Sequence, residues 1–227
     1  MDTEIKLDSL NRQEALRYLG YGGHMPEERF LSMLDECEKE VLSYAIPRYV
    51  YRVFDVESCK EGVRAVGTDM ILYGNSIQEH LKNCQKAVFF AATISSGIDK
   101  MLRIAQIRDI TKAFIMDSLA SVAIEQVCDK FEMLLKREYT DYYQTFRFGL
   151  GYGDLPIEQQ KDFIKLLNAQ KLIGLSVSDS SMLIPTKSVT AVIGLSKEEI
   201  KGVARGCQTC NLKDRCQFRA KGGHCNG

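Results

Sequence analysis

Thr140-Asp141-Tyr142-Tyr143-Gln144-Thr145-Phe146-Arg147-Phe148-Gly149-Leu150-Gly151-Tyr152-Gly153-Asp154-Leu155-Pro156 is the stretch that decides between two fold classes. Its three alternating glycines leave a backbone with no Cβ screen, open to close approach by a ligand. Read as Gly-x-Gly-x-Gly, they invite a dinucleotide or class I methyltransferase loop in a parallel sheet. That fingerprint requires a buried strand rich in Val, Ile and Leu just ahead of the glycines. Thr140 to Thr145 is too polar for the role, and Arg147 sits awkwardly at the end of such a strand. A tight structural turn is the plainer alternative. Arg147 adds a permanent planar cation suited to a carboxylate. Asp154 and Pro156 read as the cap and first turn of a helix beginning near Ile157.

Outward from this loop, the pattern favours α+β. Asn11 to Leu19 and Pro26 to Tyr44 have helical spacing, the first ending at Gly20-Tyr21-Gly22-Gly23. Arg48 to Val56 alternates as a strand does, Gly62 to Gly74 reads as one or two strands, and Ala87 to Thr93 as a short buried one. Asp99 to about Lys136 is apolar at helical period without Gly or Pro. Its length exceeds that of an ordinary globular helix, which predicts a break near Arg108-Asp109-Ile110-Thr111. After the loop come a helix over Ile157 to Asn168 and strands over Leu172 to Ser178 and Ser181 to Ile193. Strands, long helices and strands again, with no βαβ alternation, are the order of an α+β fold with an antiparallel or mixed sheet.

The 227 residues are 45% hydrophobic and 26% charged, ordinary for a globular protein. Thirty basic residues offset thirty acidic ones, so nothing draws the chain to nucleic acid or to an anionic membrane. Met1-Asp2-Thr3-Glu4-Ile5-Lys6 has neither the basic nor the apolar region of a signal peptide, and no run is apolar enough to span a membrane. A cytoplasmic location is expected. Cys37, Cys59, Cys84 and Cys128 are widely spaced and read as buried thiols. Cys207, Cys210, Cys216 and Cys225 instead crowd into the last 21 residues as C-x2-C-x5-C-x8-C. That density in a reducing compartment points to one metal centre, zinc or an iron–sulfur cluster, or else to a reduced tail. The expected organisation is a main domain over 1–205 and a short Cys-rich tail over 206–227. Pro185-Thr186-Lys187-Ser188 echoes the end of a phosphate-binding loop, but no glycine cradle precedes it. An exposed Lys and Ser on a strand is the simpler expectation. His24, His80 and His224 are scattered and read as surface or core residues.

Arg147, Gly151, Tyr152 and Pro156 fit the form R-x-x-x-G-Y-x-x-x-P, and Asp179 to Val189 supplies a D-S-x-x-M/L-x-P segment leading into a Ser-Val strand. Together with Leu16-Arg17-Tyr18-Leu19-Gly20-Tyr21-Gly22-Gly23, these resemble the activation domain of vitamin B12-dependent methionine synthase, in its short stand-alone versions, over most of residues 10–195. The resemblance implies an α+β domain with long helices that binds S-adenosylmethionine. Arg147 would hold the methionine carboxylate. Gly149 and Gly151 would bring backbone close to the ligand, and Tyr152 would pack on its adenosyl part. The family's acidic residue on the preceding helix falls on Glu125, with Ser121 one turn earlier aligning about as well. Gly153 stands where the full-length domain has Pro, and the Cys-rich end replaces its last segment.

The implied chemistry is reductive methylation of cob(II)alamin. The protein positions the methyl donor and has no nucleophile of its own, so its contribution is proximity and orientation. With no D-x-H-x-x-G corrinoid signature, the chain is expected to reach cobalamin only through a partner, a cobalamin-dependent methionine synthase lacking its own activation domain. A flavodoxin- or ferredoxin-type reductant would supply the electron. The second reading, resting on the tail, is an iron–sulfur or zinc accessory module that transfers electrons to a corrinoid methyltransferase.

Overall fold

The computed structural model describes residues 5–21 and 26–200. The elements in chain order are α1 (Arg12–Tyr18), α2 (Glu28–Tyr44), β1 (Arg48–Cys59), β2 (Gly62–Ala65), β3 (Ile71–Tyr73), α3 (Asn75–Leu81), β4 (Lys86–Thr93), α4 (Ser96–Arg108) and α5 (Ile110–Glu138). Then follow β5 (Tyr143–Gln144), β6 (Phe148–Gly149), a 3-10 turn (Ile157–Gln159), α6 (Gln160–Leu167), α7 (Ala169–Ile173), β7 (Ser176–Val177), β8 (Leu183–Ile184) and β9 (Ser188–Ser196). The main sheet has the order β3-β2-β1-β4-β9-β5, with β6 also on β9, and β7 pairs with β8. The pairs β1–β2, β2–β3, β5–β9 and β6–β9 are antiparallel. Bonds from Ile46 to Ile94 and from Val56 to Gln85 run β4 against β1 in the same sense. The fold is therefore α+β as expected, and an antiparallel β6 of two residues removes the parallel-sheet reading of the glycines.

The chain divides into two compact units. One comprises Met1–Val50, Ala91–Leu135 and Asn168–Val189, the other Tyr51–Phe90, Lys136–Leu167 and Thr190–Gly227.

Helix burial builds the first unit. The helices α4 and α5 are separated at Asp109, inside the expected break. Asp109 ends α4 in extended conformation, and its Oδ1 accepts from the Thr111 and Lys112 amides at 3.0 and 3.1 Å, capping α5. Buried positions on α5 include Leu119, Ala120, Ala123, Val127 and Phe131, on α2 Leu34, Cys37 and Val41. Tyr49 packs its ring 5.3 Å from Phe131. Glu38, buried on α2, accepts from the Leu10 amide and from Arg12 Nε, which fastens α1 and holds the Arg12 guanidinium above its ordinary pKa.

Three expectations fail here. The strand expected over Ser181 to Ile193 is split at residues 185–187 into β8 and β9. Leu172 and Ile173 close the short helix α7 rather than opening a strand. Gly174, at φ +72°, ends that helix with its N–H bonded to Gln170 O, the C-terminal glycine signal that the apolar pattern outweighed in the sequence. Lys187 is not an exposed strand residue. It lies in the turn between β8 and β9, its side chain 14% exposed, with Nζ 2.8 Å from both Asp117 Oδ1 and Ser121 Oγ.

The second unit packs on aromatics. Phe89 of β4 lies edge-on to Phe54 at 5.1 Å and stacked on Phe163 of α6 at 5.2 Å. Gln78 of α3 donates to Cys59 O and Gly62 O, closing the β1–β2 hairpin, and Gln159 bonds Tyr73 N and Ile71 O of β3. Among the described residues no helix is long and apolar enough to cross a membrane.

Candidate functional site: the arginine–glycine loop

Register places the loop. Gln144 pairs with Leu195 and Phe148 with Val192, so Thr145, Phe146 and Arg147 oppose only Ile193 and Gly194. β5 and β6 are thus one strand broken by a bulge of one extra residue, and Arg147 sits in that bulge. Bulges commonly re-aim a side chain beside a functional site. Thr145 repairs the ladder: its N–H donates to Gly194 O at 2.9 Å, and its Oγ1 accepts from Gly194 N at 2.7 Å. The hydroxyl stands in for the carbonyl that the extra residue displaces. Thr145 Oγ1 also lies 2.8 Å from His80 Nε2 on α3, and the His80 ring is 4.6 Å from Phe146 and 4.9 Å from Phe148.

Beyond the bulge the loop closes on itself. Tyr152 N bonds Gly149 O, Leu155 N bonds Tyr152 O, and Gly151 N bonds Leu155 O, all at 3.0–3.1 Å. Gly151 has φ +88°, left-handed backbone that disfavours a side chain, and an added Cβ would lie 2.9 Å from Ile157 Cδ1. Gly153 is required by contact: an added Cβ would lie 2.5 Å from Ser76 Oγ on α3. Tyr152 is 67% exposed, and Arg147 is half-buried.

Asp154 behaves differently from its expected role. It does not cap the turn at Ile157, where Pro156 occupies the N-cap position. Its carboxylate reaches α3, accepting from Asn75 N at 2.7 Å and Ser76 N at 2.8 Å. The Ser76 amide bond, above all, holds the Asp154 pKa below its ordinary value. α3 has no side-chain cap of its own, so the loop supplies one.

Of the sequence-derived site residues, Arg147, Gly149, Gly151 and Tyr152 come together in this loop. Glu125 lies half-buried on α5 in the other unit; burial first, then the charges of Glu14 and Glu125, raises the Tyr18 pKa. Ser121, its alternative, is engaged by Lys187. Ser178 to Pro185 forms a tight β7–β8 hairpin, with Ser178 N bonded to Met182 O and Met182 64% exposed. A cleft of about 310 Å³ in the first unit is lined by Tyr44, Ile46, Arg48, Ser95, Ser96 and Pro185, among others, and by none of Arg147, Gly149, Gly151, Tyr152 and Glu125. Cys207, Cys210, Cys216 and Cys225 lie outside the described residues. Among the described residues no group of three or more His, Cys, Asp or Glu is placed to hold a metal. Sequence reading missed His80, Thr145 and Gly194. The signal was Gly194, alone inside an apolar strand, the usual mark of a bulge or a close approach.

An antiparallel α+β chain presenting an arginine beside a glycine loop defines the class. The chain belongs to the vitamin B12-dependent methionine synthase activation domain family, whose model matches residues 75–202. The same fold occurs in the crystal structure of the MetH reactivation domain bound to AdoHcy, at a TM-score of 0.57 and 16% identity, covering 93% of this chain and 74% of that one. No curated protein matches the chain.

Proposed function

We propose that this chain binds S-adenosylmethionine at the Arg147–Pro156 loop and presents its methyl group for reductive methylation of cob(II)alamin on a separate cobalamin-dependent methionine synthase. The observation that carries the reading is the loop itself: a family motif with a half-buried guanidinium, an exposed tyrosine ring and glycines at close approaches. In this reading Arg147 pairs with the methionine carboxylate. Gly149 keeps the surface low beside Tyr152, since an added Cβ would lie 3.2 Å from the tyrosine ring. The Gly151 amide is committed to Leu155 O, so Gly151 contributes its left-handed turn and bare Cα. Tyr152 offers its ring to the adenosyl group. When reduced by one electron, the partner's cobalamin supplies the nucleophile that takes the methyl group, and S-adenosylhomocysteine leaves. A flavodoxin- or ferredoxin-type protein is the electron donor. The four tail cysteines are proposed, on spacing alone, as ligands of one zinc or iron–sulfur centre in a tail distinct from the 1–205 domain.

The test mixes the protein with S-adenosylmethionine, a low-potential reductant and a cobalamin-loaded methionine synthase without its activation domain. The cob(II)alamin absorption should decay faster than without the protein, and Gly151→Val should abolish the difference. Equal decay with and without the protein contradicts the reading.

A further inference from the structure

We propose that His80 is a positioning residue for Arg147, acting through the Thr145 bulge; this rests on the reading that Arg147 takes the ligand's carboxylate. The seven residues of α3 hold the motif at both ends. At its N-terminus the Asn75 and Ser76 amides bind Asp154, and Ser76 abuts Gly153. At its C-terminus His80 bonds Thr145 and packs on Phe146 and Phe148, the residues on either side of Arg147. Arg147 is therefore flanked by two rings that rest on one imidazole.

The hydrogen-bond inventory makes this clamp specific. A threonine hydroxyl donates once and accepts twice. Thr145 Oγ1 has three partners: it accepts from Gly194 N, lies 3.1 Å from Phe146 O, and lies 2.8 Å from His80 Nε2. All three are satisfied together when His80 carries its proton on Nε2 and donates, the hydroxyl then donating to Phe146 O. His80 so fixes the hydroxyl rotor, the hydroxyl fixes the peptide that precedes Arg147, and Gly194 admits the arrangement. A Cβ at Gly194 would lie 2.4 Å from Cys84 Sγ and 3.0 Å from Thr145 Cγ2. Binding groups work only when held by a surrounding shell, because small misplacements cost large factors in affinity.

The experiment compares two probes. S-adenosylmethionine carries the carboxylate; 5′-methylthioadenosine shares the adenosyl part and lacks it. His80→Leu keeps an apolar body and removes the donor, while Thr145→Val is nearly isosteric and removes the hydroxyl. Each should weaken S-adenosylmethionine binding by about tenfold and leave 5′-methylthioadenosine binding unchanged, with Thr145→Ser close to wild type. Thermal melting identifies a variant that does not fold, in which case the other decides. If the two probes weaken together, or neither weakens, the positioning role is overturned. Arg147→Ala separates the layers: should it bind S-adenosylmethionine as wild type does, the reading of Arg147 fails as well. Should only Arg147→Ala weaken binding, the role of His80 alone fails.

Discussion

Helix α5 and the bulged loop from Tyr143 to Gln159 are held by opposite means. α5 buries residues such as Leu119, Val127 and Phe131, and its stability is apolar burial organised by a local period. The loop also buries Phe148, Leu150 and Leu155, but its course is fixed by hydrogen bonds with partners remote in sequence: Asp154 with Ser76, Thr145 with His80, Gln159 with Tyr73. The first arrangement resists change because removing a core side chain leaves a cavity. The second is cheap in stability and exact in geometry. Substitutions in α5 should therefore cost stability, and substitutions in the loop should cost ligand affinity.

The largest expected effect is Phe131→Ala. Phe131 is 1% exposed and packs on Tyr49, so truncation should destabilise the fold by about 3–5 kcal/mol. Denaturant unfolding measures it. A loss under about 1 kcal/mol would mean that the core repacks and that the contrast is overdrawn.

Two aspartates sharpen the comparison at smaller cost. Asp109 caps the helix that directly follows it, and Asp154 caps a helix 78 residues before Ser76's acceptor in the chain. Each change to Ala should cost about 0.5–2 kcal/mol of stability. Only Asp154→Ala should also weaken S-adenosylmethionine binding, because only that cap holds the motif. Equal affinities in the two variants would break the distinction. The smallest effect is in pH. The folded-state pKa of Asp154 is depressed, so its contribution is fully present above the ordinary 3.8 and is lost as pH falls below it. Wild type should lose stability there more steeply than Asp154→Asn, as read from thermal melts across pH 2–5; parallel curves would count against the cap.

The same contrast explains what the sequence disclosed. The α4–α5 break and the apolar β4 were legible, because a helical period interrupted at Asp109 and a continuous run at Ala87–Thr93 are local signals. The arginine–glycine motif was legible as residues but not as geometry. Nothing near Asp154 reveals that its carboxylate serves Asn75 and Ser76, and the Asp-x-Pro pattern pointed to its own helix instead. The bulge depends on the register of two short strands against β9, which no local pattern encodes. His80 looked like any core histidine because its partner lies 65 residues away.

Calorimetric titration of S-adenosylmethionine into wild type and Arg147→Ala decides whether Arg147 anchors the ligand. Wild type should show saturable binding and the variant a loss of about ten- to hundredfold, from a charge-assisted pair worth about 1.5–3 kcal/mol, with the melting temperature unchanged. Equal affinity in the two proteins, or no binding to wild type, would contradict that anchoring.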